Sequence, residues 1–418
     1  ALALTQGSAG WPINAILTAN AELIWLDSYL SPQDFSNTLS KLSKVWQSRP
    51  EAVRQVAKNI AGQLKGQNNI AGIAWDIDKS EQIVKTLVSN LDAIHGGLAG
   101  DRKFPNASAL QLLIYQYQLT PDPELGIHIR RFLDQLANQG IRDHLNGGFY
   151  RYSTDVRWQQ PHFEKMLYNQ ALLISAFSKA YQVFKDERYK LLVIDTIAFV
   201  RKWFESQEGA YYSGVDADYL GNEGRYYTFS PEELSAIAPS DLNQFLWCNY
   251  NTSKLTFKPH IDRKVITAWN ALMISAFVDA YVAFNDEVYL TAAKNLANVI
   301  NKQQINQSGL LMRASYHNKL SGKAVLNDYA YLAHAMFTLF QQTQNKKWYQ
   351  LAVHFYQQGS KLFGINYQGE ISLSNSQLDD GELLSAHTML VSLGDKLRSY
   401  GEKNAATVKQ QISQLKQA

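Results

Sequence analysis

Cysteine is almost missing from this sequence: one residue, Cys248, in 418. A lone thiol excludes an internal disulfide and any structural zinc site built from several thiolates. A surplus of one charge is missing too. Lys and Arg number 40 against 37 Asp and Glu, a net charge of +3, and the signs are interspersed. That balance gives no electrostatic footprint for nucleic acid. Long apolar runs are scarce, and none reads as a membrane span. The opening residues ALALTQGSAGWP lack the charged start and cleavage pattern of a secretory leader. The expectation is a cytoplasmic protein with neither nucleic acid nor membrane as partner. Glycine and proline are few, 24 and 10, which excludes a low-complexity or disordered chain.

Apolar residues make up 46% and aromatics 12%, with 23 Tyr and 9 Trp. A chain of this length can bury a large core. The aromatics fit two uses, ring faces for a sugar or packing between helices.

From Asp78 onward the apolar periodicity is helical, with segments expected at 81–95, 106–118, 122–139, 163–184, 187–206, 267–285, 287–303, 325–342, 346–362, 383–392 and 394–415. An internal repeat orders them. Residues 171–189 and 271–289 share 12 of 19 positions at an offset of 100, including Phe177/Phe277, and a fainter copy starts at Ala330. The first helix of each copy is apolar nearly all round and the second is amphipathic, the pattern of an inner and an outer ring of helices. Phe177 and Phe277 should therefore occupy equivalent core positions.

The chemistry-bearing residues crowd into Gly140 to Leu173, GIRDHLNGGFYRYSTDVRWQQPHFEKMLYNQALL. Gly147 and Gly148 permit a tight path, Phe149 to Ser153 reads as a short strand, and Pro161 suits the first turn of a helix carrying His162, Glu164 and Lys165. This stretch resembles the signature GGF-x-RYS-x-D-x-x-W-x-x-PHFEKMLY of the thioredoxin-domain-containing family of bacterial YyaL-like and spermatogenesis-associated proteins. Tyr211 to Tyr227 (YYSGVDADYLGNEGRYY), Lys264 to Ile274 (KVITAWNALMI) and Leu326 to Ala330 (LNDYA) agree in order.

The resemblance implies a mainly α protein. An (α/α)6 toroid of helical hairpins, like those of six-hairpin glycosidases and N-acylglucosamine 2-epimerases, follows a partial thioredoxin-like α/β segment. Residues 1–66 are read as the C-terminal half of that segment with a linker helix, and 67–418 as the toroid. In the first part, Ile13 to Thr18 and Glu22 to Leu26 are expected as paired strands and 32–47 as a helix. Pro12 stands where the family has a cis proline. The redox CxxC of such a domain is not in this sequence, so the chain as given cannot exchange dithiols.

In a toroid the residues at the starts of inner helices converge at one mouth. The expected catalytic set is His162, Glu164, Asp216 and Asp328. The expected substrate-binding set is Arg151, Tyr152, Trp158, Asp218, Glu223, Trp269, Asn270, Tyr329 and His387, the last standing in for a wall that Asp379 to Leu383 does not supply. Carboxylates, a histidine and aromatic faces suit sugar chemistry. Structural roles compete with each assignment: Glu164 could pair with Arg151 or Lys165, and Asp216, Asp218 and Glu223 could be solvated turn residues without the ligand spacing of a calcium loop. No metal and no cofactor is expected. The function expected is a sugar epimerase or a glycoside hydrolase, the partner a small-molecule sugar. The alternative is a non-catalytic binding toroid partnered with a thioredoxin-like redox domain.

Overall fold

The computed structural model describes residues 13–66, 77–228, 259–364, 383 and 385–415, and the chain divides after Ile73 into two compact units. Pro12 lies outside the described residues. In the first unit, β1 (Asn14–Leu17) pairs antiparallel with β2 (Leu23–Asp27). Helix α1 (Pro32–Ser48) starts with Pro32 at N1 and the Ser31 hydroxyl accepting the Asp34 N–H, and α2 (Pro50–Gly66) follows directly. The thioredoxin-like reading of this unit rests on the sequence resemblance alone.

The second unit is an α/α toroid. Its helices are α3 (Ile77–Ser89), α4 (Ala107–Leu119), α5 (Pro123–Asn138), α6 (Leu167–Phe184), α7 (Glu187–Phe204), α8 (Thr267–Phe284), α9 (Glu287–Gln303), α10 (Leu326–Thr343), α11 (Lys346–Phe363) and α12 (Ala386–Leu415). Helices α4, α6, α8, α10 and α12 pack side by side in that order as the inner set, each with an outer helix against it. Four inner-outer hairpins, α4–α5, α6–α7, α8–α9 and α10–α11, are thus seen among the described residues, and α12 packs on α10 and α11. Phe177 on α6 and Phe277 on α8 are both fully buried, so the repeat marks equivalent core positions. Helix α8 is long and apolar enough to cross a membrane, with mean hydropathy 1.2 over 18 residues. Here it is a core helix between α6 and α10.

The two rims differ. At one, the inner-to-outer turns α6–α7, α8–α9 and α10–α11 are two residues long. Lys185, Asn285 and Gln344 take left-handed backbone with φ of 53°, 55° and 54°, and Asp186, Asp286 and Asn345 then cap the next helix through the N–H two residues on. At the other rim, the described parts of the connections α5–α6, α7–α8 and α9–α10 carry the short strands.

Three helix boundaries depart from expectation. The segment expected at 81–95 ends at Ser89, because the Asp92 carboxylate accepts the N–H groups of Ile94 and His95 and closes a turn instead. Residues 163–166 are not helical: Pro161–His162 is strand β4, paired with β3 (Tyr152–Ser153), and Lys165–Met166 is β5, so the helix begins at Leu167. The expected pair 383–392 and 394–415 is one helix, Ala386–Leu415. Gly394 lies inside it, where Tyr356 Oη comes within 2.5 Å of where a Cβ would stand.

Candidate active site

Strand β5 pairs with β6 (Gly214–Val215), and β6 with β9 (Ile261–Asp262). The register sets Lys165 opposite Val215, and the Asp216 N–H donates to the His260 carbonyl at 2.9 Å. Glu164, Asp216 and His260 therefore fall in line across three strands. Alternation along the chain decides which side chains face the mouth. His162 and Glu164 are part-exposed, while Lys165 is 1% exposed.

The inward side is scaffold. Lys165 Nζ donates to Asp143 Oδ2 at 2.6 Å and to the Gly147 carbonyl at 2.9 Å, with the rings of Tyr150 and Phe199 within 4.8 Å of it. Asp143 Oδ1 accepts the N–H groups of Leu145 and Asn146. The same device stands one hairpin earlier: Lys103 Nζ meets Asp92 Oδ2 at 2.7 Å and the Gly96 and Leu98 carbonyls. Burial raises the Asp92 carboxyl, but the Lys103 ammonium and the N–H groups of His95 and Ile94 outweigh it and hold the group well below the usual range. Both turns read Asp-x-x-x-Gly-Gly, with all four glycines at φ between 67° and 79°, the conformation that excludes a Cβ cheaply.

The outward side is a half-open polar group. Glu223 Oε1 lies 2.5 Å from His162 Nδ1, and Glu164 Oε2 lies 3.8 Å from Nε2. Arg151 donates to the same Glu164 oxygen at 3.1 Å. A carboxylate only accepts, so the Glu223 bond calls for a proton on Nδ1, while Nε2 is turned to the Glu164 carboxylate. Phe104, Tyr152 and His162 form a stack of three rings with centroids 4.9 Å apart at each step, which fixes the imidazole plane. Glu223 comes from the hairpin of β7 (Asp218–Tyr219) and β8 (Asn222–Glu223), seated where Gly224 lets the Phe163 ring approach. Asp216 and Asp218 are exposed at its base, and Asp216 Oδ1 accepts the Asp218 N–H.

The structure thus brings His162, Glu164, Arg151, Tyr152 and Glu223 together, with Asp216 and Asp218 beside them. Trp269 is part-buried in the first turn of α8, its ring against Tyr168 of α6. Five expected residues belong elsewhere. Trp158 is 0% exposed; its Nε1 donates to the His95 carbonyl at 2.8 Å and its ring covers Gly97, so it packs the scaffold. Asn270 is fully buried and its amide spans the Tyr211 N–H and carbonyl, as Gln170 spans those of Phe149. The differing repeat positions do the same backbone-holding work.

Asp328 is buried at the start of α10, its oxygens taken by the Val325 and Ala268 N–H groups and by Arg313; burial is the main cause pushing this carboxyl up. Tyr329 is buried against Gly359, and burial raises it as well. His387 is 1% exposed inside the core, where burial lowers it, so it supplies no pocket wall. Asp379 to Glu382 lie outside the described residues. Sequence reasoning placed Lys103 and Lys165 at the mouth, whereas both are buried behind turns that the twice-written Asp-x-x-x-Gly-Gly marks.

No family model matches the chain. Its sequence is similar to spermatogenesis-associated protein 20 of Homo sapiens, 25% identical over 475 residues that cover 90% of this chain and 60% of the relative. The Mus musculus protein of that name is 25% identical, with 90% and 59% covered. The chain therefore spans about 60% of the length of these curated relatives. Among solved structures it is similar to D-mannose isomerase, with TM-score 0.51, 14% identity and 69% of this chain and 72% of that one covered. It is also similar to cellobiose 2-epimerase from Spirochaeta thermophila, with TM-score 0.50, 12% identity and the same coverage. At these identities the likeness shows the fold. By sequence the chain is similar to spermatogenesis-associated protein 20, and its larger unit shares the α/α toroid fold of D-mannose isomerase and cellobiose 2-epimerase.

Proposed function

We propose that the mouth of the toroid is a sugar site at which His162 moves a proton, as in epimerisation or isomerisation at the carbon next to a carbonyl. The carrying observation is the Glu223 carboxylate 2.5 Å from Nδ1, which orients the imidazole with its proton on Nδ1 and Nε2 turned to Glu164. Arg151 and Glu164 form a fixed ion pair beside it, a polar wall for sugar hydroxyls. The names of the structural neighbours, an isomerase and a 2-epimerase, accord with this reaction class. A second reading is glycoside hydrolysis. It draws on the in-register positions of Glu164 and Asp216, a cross-strand pair whose backbones are roughly 5 Å apart, as a source of two carboxylates for hydrolysis.

Deuterium exchange at sugar C2, followed by NMR over a panel of aldoses and ketoses, separates the two. Proton transfer requires exchange that falls about 10²–10⁴-fold in His162→Ala and by less in Glu223→Gln. Absence of exchange alongside glycoside cleavage lost in Glu164→Gln would give the site to the hydrolytic reading.

A further inference from the structure

The stretch from Pro259 to Arg263, which contains β9, and the turn between β10 (Met312–Tyr316) and β11 (Lys319–Lys323) face each other across a cleft of about 460 Å³. Pro259, His260, Ile261, Arg263, Tyr316 and His317 line it. An arginine and two imidazoles stand among these six, and no carboxylate does. The nearby acids are engaged elsewhere: Asp262 pairs with Lys264 at 2.9 Å, Asp216 accepts from its own turn, and Glu208 accepts from Asn318 at 3.0 Å. Arg263 has no carboxylate partner among the described residues. The far wall is held in shape. His317 and Asn318 both take left-handed backbone, φ 47° and 61°, in a two-residue hairpin turn, and the His317 ring stands edge-on to Tyr316 at 4.4 Å.

The cleft adjoins the His162 group. Glu164, Asp216 and His260 are successive positions across the β5–β6–β9 ladder, so the His260 backbone is two strand spacings, roughly 10 Å, from that of Glu164. That separation matches a hexose whose charged substituent lies at the end opposite its reacting carbon. A planar guanidinium takes two oxygens of a phosphate or carboxylate at once, and imidazole N–H groups supply further donors.

We propose that this cleft is an anion subsite, so that the sugar taken by the mouth carries a phosphate or a carboxylate held by Arg263, His260 and His317. The proposal rests on the sugar-site reading for the neutral half of the ligand and stands on the cleft for the charged half. Isothermal titration with glucose 6-phosphate, glucuronic acid and glucose tests it.

One of the two anionic sugars should bind about tenfold or more tighter than glucose, and raised salt should shrink the difference. Arg263→Gln, at an exposed position, should abolish the difference without moving the melting temperature, and His162→Ala should leave it intact. Phosphate is the group recognised if glucose 6-phosphate is the tighter ligand, carboxylate if glucuronic acid is. Equal affinity for all three sugars, or a preference that survives Arg263→Gln, overturns the subsite. Anionic sugars that bind through Arg263 without exchanging their C2 proton support the subsite while retiring proton transfer by His162.

Discussion

Residues 162 to 165 hold two polar clusters that share four residues of chain and little else. His162 and Glu164 meet Glu223 and Arg151 in a half-open mouth, where every group keeps some contact with water. Lys165 meets Asp143 where neither is more than 1% exposed. The contrast shows that charge alone does not mark a site. A buried pair with all its hydrogen bonds satisfied fixes the backbone, whereas a part-exposed group keeps a face open to water and to what water carries.

The sharpest way to break the contrast is Lys165→Met. It should cost about 3–5 kcal/mol in urea unfolding, since it leaves Asp143 buried and unpaired, and Lys165→Met with Asp143→Asn should recover part of that loss. Asn270→Ala is expected to cost about 1–3 kcal/mol, because the Tyr211 N–H and carbonyl lose their buried partner. A cost this large would rule out a ligand-facing role for the amide. On the mouth side, Glu223→Gln should shift stability by less than about 1 kcal/mol, as for a part-exposed pair, while slowing turnover.

Acid should act on the scaffold in a defined order. Burial, helped by the Lys396 and Lys179 ammonium groups, pushes the His334 imidazole down to about 3. Its folded pKa is depressed, so its contribution is complete above the ordinary value of 6.5 and is lost as pH falls from there towards 3. The depressed Asp92 carboxyl acts lower, with its contribution present above the usual carboxylate range and lost beneath it. The urea midpoint of the wild type should therefore drop between pH 8 and pH 4.5, and His334→Gln should flatten that drop. An unchanged slope in the variant would remove His334 from the account.

Much of the fold was legible because inner helices announce themselves: Leu172, Ile174, Ala176 and Phe177 are apolar on every side, and the 100-residue offset recovers their partners. The mouth was harder. A sequence pattern names His162 and Glu164 but not which way a strand turns them, and one residue of phase separates a ligand-facing carboxylate from a buried lysine. Trp158, Asp328 and His387 were drawn to the mouth by residue type, yet each is buried, and Trp158 and Asp328 spend their polar atoms on backbone or on a partner within the fold. Burial of that kind depends on neighbours 60 residues away, as with Ala268 and Asp328, and no local window contains them.

The two-residue turns at the rim away from the mouth set the angular phase of α7, α9 and α11. One added residue after Lys185 or Asn285 would rotate the following helix by about 100° and advance it by about 1.5 Å, swinging its apolar stripe out of the seam it fills. Those three turns tolerate no change of length. The mouth rim, where connections are long and cross-braced by short strands, can lengthen or shorten without turning any helix. A chain of this design keeps its scaffold in register at one end and leaves the other free to acquire new ligands.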